Sequence, residues 1–385
     1  MVDNNARCSR KSQGGSMRCA PRLTVRRICS CIISAMFVYS AGCHALPNDS
    51  NSKQKFAQIR KRAELGYTEQ QIELAAAYLT GRGMPQSFPL AARWYEKAAA
   101  AGNPEAENQI GYFYQYGIGV QADMLRAFHW YQLASASGLA WAKVNMGVCY
   151  LKGLGIPKNV STSTQLFAEA ASRGAGLGAT YLGLMNYFGI DVPVDKLNGE
   201  RWLLLADRLH DPLAAYALGL LYRDGEGHPF DLRRASFLLR ASSDRGYVPA
   251  MHALGILLFK HPELAETNQE ARLRLDEAST AGDWESSVSL GVAARDGEDG
   301  RRDLSLAYYY FCLAALQGHA EVRSRVNADF KIIQQTLSRP EEHAIAVRAE
   351  DWYQHHRFPL IFVYKEGFTQ RNFPMIAGFS LTARP

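Results

Sequence analysis

A small residue followed six positions later by glycine recurs through this chain at a fixed step of 36 residues. The pairs are Ala75/Gly81, Gly111/Gly117, Gly147/Gly153, Gly183/Gly189, Gly219/Gly225 and Gly291/Gly297, with Gly255/His261 in the remaining copy. A second series keeps the same step at Gly66, Gly102, Gly138, Gly174, Gly246, Gly282 and Gly318, broken only by His210. A third runs Ala98, Ala134, Ala170, Ala206, Ala278 and Ala314, with Ser242 as its substitute. A constant period of this length describes stacked supersecondary units, each burying its apolar face against its neighbours, rather than one compact core.

Each unit reads as two helices, A and B. In the second copy helix A runs from about Pro104, suited to a first turn, to Tyr116, where Gly117 stops it. Helix B follows a capping residue in every copy: Ser87, Asp123, Asn159, Asp195, Asp231, Thr267 and Asp303. Small residues at Ala91, Ala127, Ser163, Gly199, Ala235, Ala271 and Ala307 admit a close neighbour, while Tyr95, Tyr131, Phe167, Leu203, Leu239, Leu275 and Phe311 fill the space between pairs. The expectation is an all-α chain folded as an α-solenoid of about seven 36-residue units.

"GYFYQYGIGVQADMLRAFHWYQLASASG" and "LGLLYRDGEGHPFDLRRASFLLRASSDRG" carry LG, an aromatic, G-x-G, D-x-x-R-A and a closing Gly. This spacing resembles the Sel-1-like repeats, relatives of the tetratricopeptide repeats with a longer inter-helix loop. The resemblance covers residues 66–318 and implies a right-handed solenoid of the exported bacterial type. Two copies depart from it. The fourth has "GIDVPVD" and His210, and the sixth, "FKHPELAETNQEA", lacks both loop glycines. Both loops are expected to leave the common backbone path, because a non-glycine residue resists positive φ.

Charge and cysteine place the remaining segments. The net charge is +6, and the first 30 residues supply Arg7, Arg10, Lys11, Arg18, Arg22, Arg26 and Arg27 against Asp3 alone. The body is therefore nearly neutral and carries no nucleic-acid footprint. Basic "RCAPRLTVRR" precedes apolar "ICSCIISAMFVYSAG", the layout of a signal peptide, starting at Met1 or Met17 and cleaved after Ala45. Alternatively "SAGC" is a lipobox ending at a lipidated Cys43, although Ser40 stands where that motif prefers Leu. Membrane attachment, if any, is through this N-terminus. Outside it only Cys149 and Cys312 remain, four repeats apart and beyond disulfide reach. They read as buried apolar thiols.

The expected organisation is a leader at 1–45, a capping helix at 46–66, the solenoid at 67–318, capping helices at 319–356, and an apolar tail at 357–385 able to form a hairpin. Catalytic patterns are thin. "GAGLG" at 174–178 lacks the preceding strand of a phosphate loop and reads as an inter-repeat turn. His355 and His356 have no carboxylate or thiol at ligand spacing beside them, and "NVS" at 159–161 is already used as a helix cap. No H-E-x-x-H, G-x-S-x-G or C-x-x-C motif occurs. The expectation is a non-catalytic protein with no cofactor and no metal.

Surface remains. The resemblance to tetratricopeptide repeats implies that helices A line an inner groove. Positions around each helix-A glycine would then face a protein or peptide partner: Asn108, Tyr112, Gln115 and Tyr116; Val144, Val148, Leu151 and Lys152; Thr180, Leu184, Tyr187 and Phe188; Tyr216, Arg223 and Asp224; His252, Phe259 and Lys260. Tyr116, Tyr187, Phe188 and Tyr216 are expected to form an aromatic strip. The function expected is a protein-interaction scaffold of the bacterial cell envelope. The alternatives are a secreted factor engaging a foreign or host cell and an exopolysaccharide-export scaffold lipoprotein.

Overall fold

The computed structural model describes residues 50–355, except 82, 226–228, 268, 298–301 and 319. The leader at 1–45, with Cys43, and the tail at 357–385 lie outside the described residues, as does His356. The described residues hold seventeen α-helices and one short 3-10 turn, Pro262–Leu264, and no strand. An orphan helix B, α1 (Ser50–Glu64), precedes seven A/B pairs. These are α2 (Thr68–Thr80) and α3 (Phe88–Ala100), α4 (Pro104–Tyr116) and α5 (Met124–Ala136), α6 (Ala140–Lys152) and α7 (Val160–Ser172), α8 (Gly176–Phe188) and α9 (Lys196–Arg208). The series continues with α10 (Pro212–Asp224) and α11 (Leu232–Asp244), α12 (Val248–Lys260) and α13 (Glu270–Thr280), α14 (Trp284–Asp296) and α15 (Leu304–Gln317). Two further helices, α16 (Ala320–Gln334) and α17 (Arg339–His355), both pack on α15.

Inside a pair, the helix-A glycine is a seat for the large helix-B residue 20 positions on. A Cβ on Gly147 would stand 2.6 Å from the Phe167 ring, and one on Gly111 would stand 2.7 Å from the Tyr131 ring. Phe167 and Tyr131 are fully buried as a result. Close approach of this kind lets short helices bury rings without a third layer. The core is a series of clusters running along the stack, from Ile59 near the start to Ala349 in α17.

Side-chain oxygens of Ser87, Asp123, Asn159, Asp195, Asp231 and Asp303 accept the N–H three residues on, satisfying an otherwise orphaned donor at each start. Each of these residues also ties the loop shut by donating its own N–H to the carbonyl nine residues back, as Asp123 does to Tyr114 at 2.8 Å. Thr267 is the exception, and the expectation of seven caps is corrected to six. Helix α13 begins three residues later at Glu270, behind Gln269, which makes no side-chain cap. The cause is the missing glycine: His261 sits at φ −135°, so the chain leaves α12 extended and turns through Pro262–Leu264. An ion pair replaces the lost cap, with Arg240 from α11 reaching Glu270 at 2.7 Å.

The other departure is a second correction. The fourth copy keeps the common path, because Asp191 at φ 56° and His210 at φ 62° enter the left-handed region where the other copies have glycine. Asp and His tolerate that region better than most residues do. Asp191 gains a compensating ion pair, 2.7 Å from Lys158 in the preceding loop.

Helices α16 and α17 follow the last pair. Ser338 donates both its N–H and its hydroxyl to Glu341 at the start of α17. Cys149 is buried and Cys312 half-buried, and burial pushes both thiols up to about 12. No described helix is long and apolar enough to cross a membrane.

Candidate partner-binding groove

The expected groove residues divide by burial. Asn108, Tyr112, Gln115, Tyr116, Lys152, Phe188, Arg223, His252 and Phe259 are half-buried, and Asp224 is exposed. Tyr187 and Tyr216, 2% and 6% exposed, belong to the core, as do Val144, Leu151, Thr180 and Leu184. A continuous aromatic strip is therefore not a surface feature. The Tyr216 ring packs edge-on against Tyr247 at 5.2 Å, and Tyr187 lies 5.0 Å from Phe188 with the Lys196 ammonium 5.5 Å from its ring.

The reason for this burial is a register that the 36-residue period conceals. In the later repeats the side chain three positions before the helix-A glycine meets the residue 31 positions on, which immediately precedes the next helix A. Thr180 bonds Asp211, Tyr216 packs edge-on against Tyr247, and His252 lies 3.3 Å from Asp283. These contacts join α8 to α10 and α12 to α14, alternate helices that touch directly. The signal was in the sequence as matched chemistry at offset 31: hydroxyl with carboxylate, ring with ring, imidazole with carboxylate. Asn108 breaks the series by turning to Asn145, whose amide donates to it at 2.8 Å.

The surface along α4 and α6 is polar and aromatic. Tyr112 and Tyr116 lie 4.4 Å apart, and the Tyr131 hydroxyl donates to Gln115 at 2.7 Å. Burial lowers the Lys152 ammonium, against the opposing influence of Cys149. Arg223 is committed to Asp224 at 2.6 Å. Among the described residues no group of three or more His, Cys, Asp or Glu side chains is placed to hold a metal ion. Ser286 and Asp283 both approach the same nitrogen of His252, Nδ1, which is not the relay geometry of a nucleophilic triad.

Stacked helix pairs joined by capped loops and glycine seats place this protein among the tetratricopeptide-like α-solenoids. The Sel1 repeat matches residues 71–103, 104–139, 142–174, 177–206, 212–247 and 285–319, more than half of the chain, and the chain belongs to that family. The unmatched unit is the α12–α13 pair, whose loop lacks both glycines yet which stacks like the rest. The Sel1 repeat protein from Oxalobacter formigenes is 26% identical with a TM-score of 0.52, over 60% of this chain and 95% of that one. The chain is also similar to c5321, a protective antigen of uropathogenic Escherichia coli strains displaying an SLR fold (26% identical, TM-score 0.48), over 80% of this chain and 64% of that one. Mouse DAP3-binding cell death enhancer 1 is 33% identical over 99 residues, which are 26% of this chain and 19% of that protein. Sel1-repeat proteins are generally scaffolds that bind other proteins, and the fold is typically non-catalytic.

Proposed function

We propose that this protein is an exported, non-catalytic scaffold of the bacterial cell envelope that seats a segment of a partner protein along helices α4 and α6. The carrying observation is the row of half-buried amides and aromatics on those helices: Asn108 with Asn145, Gln115, and the Tyr112–Tyr116 pair. Amides match the donors and acceptors of a peptide backbone, and half-exposed tyrosines supply contact area with little entropy to lose. Tyr187 and Tyr216 leave the proposed contact set because they are core. The envelope location is supported by the basic-then-apolar leader alone.

Two measurements test the parts separately. Tyr112→Ala with Asn145→Ala should abolish capture of the partner from native-host envelope extracts, since a central anchor commonly contributes about 2 kcal/mol or more. Melting should change little. Normal capture by that double variant, with loss only on deleting residues 357–385, would transfer the binding role to the tail. For location, intact mass from the native host should show a mature start at Leu46 or a lipid-modified Cys43, and an unprocessed chain in the cytoplasm would refute export.

A further inference from the structure

Two of the joints between alternate helices A are built from titratable groups. At the first, the Asp211 carboxyl is buried against Thr180, whose hydroxyl bonds it and also lies 3.3 Å from the Gly176 carbonyl. The other charged groups facing Asp211 are Asp207 on α9 and Arg245, which follows α11. Arg245 donates to Asp207 at 2.7 Å and to the Asp211 main-chain carbonyl at 3.4 Å, so its charge is directed mainly at the neighbour. At the second, His252 Nδ1 lies 2.8 Å from the Ser286 hydroxyl and 3.3 Å from Asp283, while Asp283 accepts the Ser286 N–H at 2.9 Å as the cap of α14. Glu285, also on α14, is the further charge acting on this ring. Among the described residues no charged group on α11 or α13 does so.

We propose that the Thr180–Asp211 and His252–Asp283–Ser286 joints form a proton-operated lock on the helix-A face, closing as the surroundings acidify and loosening as they turn alkaline. The regulation rests on the reading of helices A as the partner-binding face. A protonated Asp211 donates its O–H to Thr180, whose own hydroxyl proton then serves the Gly176 carbonyl. An ionised Asp211 instead accepts the hydrogen bond of the Thr180 hydroxyl and keeps a charge in the core. A protonated His252 forms an ion pair with Asp283 that a neutral ring does not.

Burial pushes the Asp211 carboxyl from 3.8 up to about 6, against the Thr180 bond, the Leu213 N–H and Arg245, with Asp207 adding to the rise. Burial opposes protonation of His252, but the Asp283 hydrogen bond and the charges of Asp283 and Glu285 outweigh it and hold the ring above its ordinary 6.5. Both groups bind protons more tightly folded than unfolded. Their contributions are complete below 3.8 and 6.5 respectively. Each is lost as pH rises through the folded value, about 6 for Asp211 and above 6.5 for His252. The two joints therefore act in the same direction.

The full chain is to be followed by melting and by amide exchange between about pH 5 and about pH 8, with intrinsic exchange rates divided out. Wild type should melt lower and exchange faster across α8–α10 and α12–α14 at the alkaline end. For Asp211, the shift from 3.8 to about 6 corresponds to about a hundredfold in the folding equilibrium over the whole span from below 3.8 to above 6, of which about tenfold falls between about pH 5 and about pH 8. Asp211→Asn, which donates to Thr180 at every pH, should flatten the slope, His252→Gln should flatten it further, and the pair should remove it. Variants that keep the wild-type slope overturn the proposal. If a variant does not fold, nuclear magnetic resonance titration of wild type decides: His252 should titrate above 6.5 with protection of its joint following it, protection of the Thr180–Asp211 joint should follow Asp211 at about 6, and titration of His252 below 6.5 overturns the lock. None of these readouts involves a partner. Normal capture by the Tyr112 and Asn145 double variant would thus refute the binding face and leave the pH slope standing, and a flat slope would refute the lock and leave the binding face standing.

Discussion

At Gly138 the chain turns at φ +91° with no heavy atom within 4 Å of where a Cβ would stand. Substitution there isolates backbone strain from packing. Gly138→Val should lower stability by about 1–3 kcal/mol, read as a fall in the denaturant midpoint at unchanged slope. Tyr187 is the opposite case, since its cost is packing. Tyr187→Ala should destabilise by about 3–5 kcal/mol, as loss of a buried ring does, and a melt matching wild type would return the residue to the surface. Cys149 and Cys312, both pushed up to about 12, hold almost no thiolate near neutrality. Both should resist iodoacetamide in the native protein and react on unfolding, as mass spectrometry of the alkylated chain would show.

At the scale of the element, six of the seven inter-helix loops share one device, a capping side chain whose own N–H closes the loop. Asp123→Ala should therefore cost about 1 kcal/mol, the usual worth of an N-cap. Thr267→Ala should change melting little, because α13 starts beyond it at Glu270. Equal losses in the two variants would mean that Thr267 caps in solution. The contrast matters because both residues occupy the same position of the repeat. In the sixth loop the Arg240–Glu270 pair carries the connection, with Arg240 also donating to the Leu264 carbonyl at 3.2 Å.

For the whole molecule, stability is a sum of neighbour interfaces, so the ends matter as much as the middle. Val326 and Ile333 of α16 and Ala349 of α17 join the clusters that contain Tyr308, Phe311, Leu313 and Tyr310 of α15. Truncation before residue 319 would uncover that face. The truncated chain should self-associate in size-exclusion chromatography and become protease-sensitive across α14 and α15 first, whereas monomeric, resistant material would show the caps to be dispensable.

The period of 36 and its punctuation made the helix pairs, their caps at six of seven starts and the order of the stack legible in the sequence itself, and the glycine seats follow from the same short spacings. Each depends on residues close in sequence: a cap acts three residues on, and the Gly147–Phe167 seat spans only 20. Two loops marked as deviant by the same absence of glycine could not be separated that way. Whether the backbone tolerates positive φ, as at Asp191 and His210, or is rerouted, as after His261, depends on contacts such as Lys158 and Arg240 supplied by a neighbouring repeat. The face of helices A was read from family geometry, which orients a helix without saying how closely the next one approaches. Thr180, Tyr216 and His252 were assigned to an open surface and turned out to lie in joints, because the offset of 31 exists only once alternate helices A touch. Local order was written in the period, and accessibility was decided by the contacts between alternate helices A, which no short-range pattern encodes.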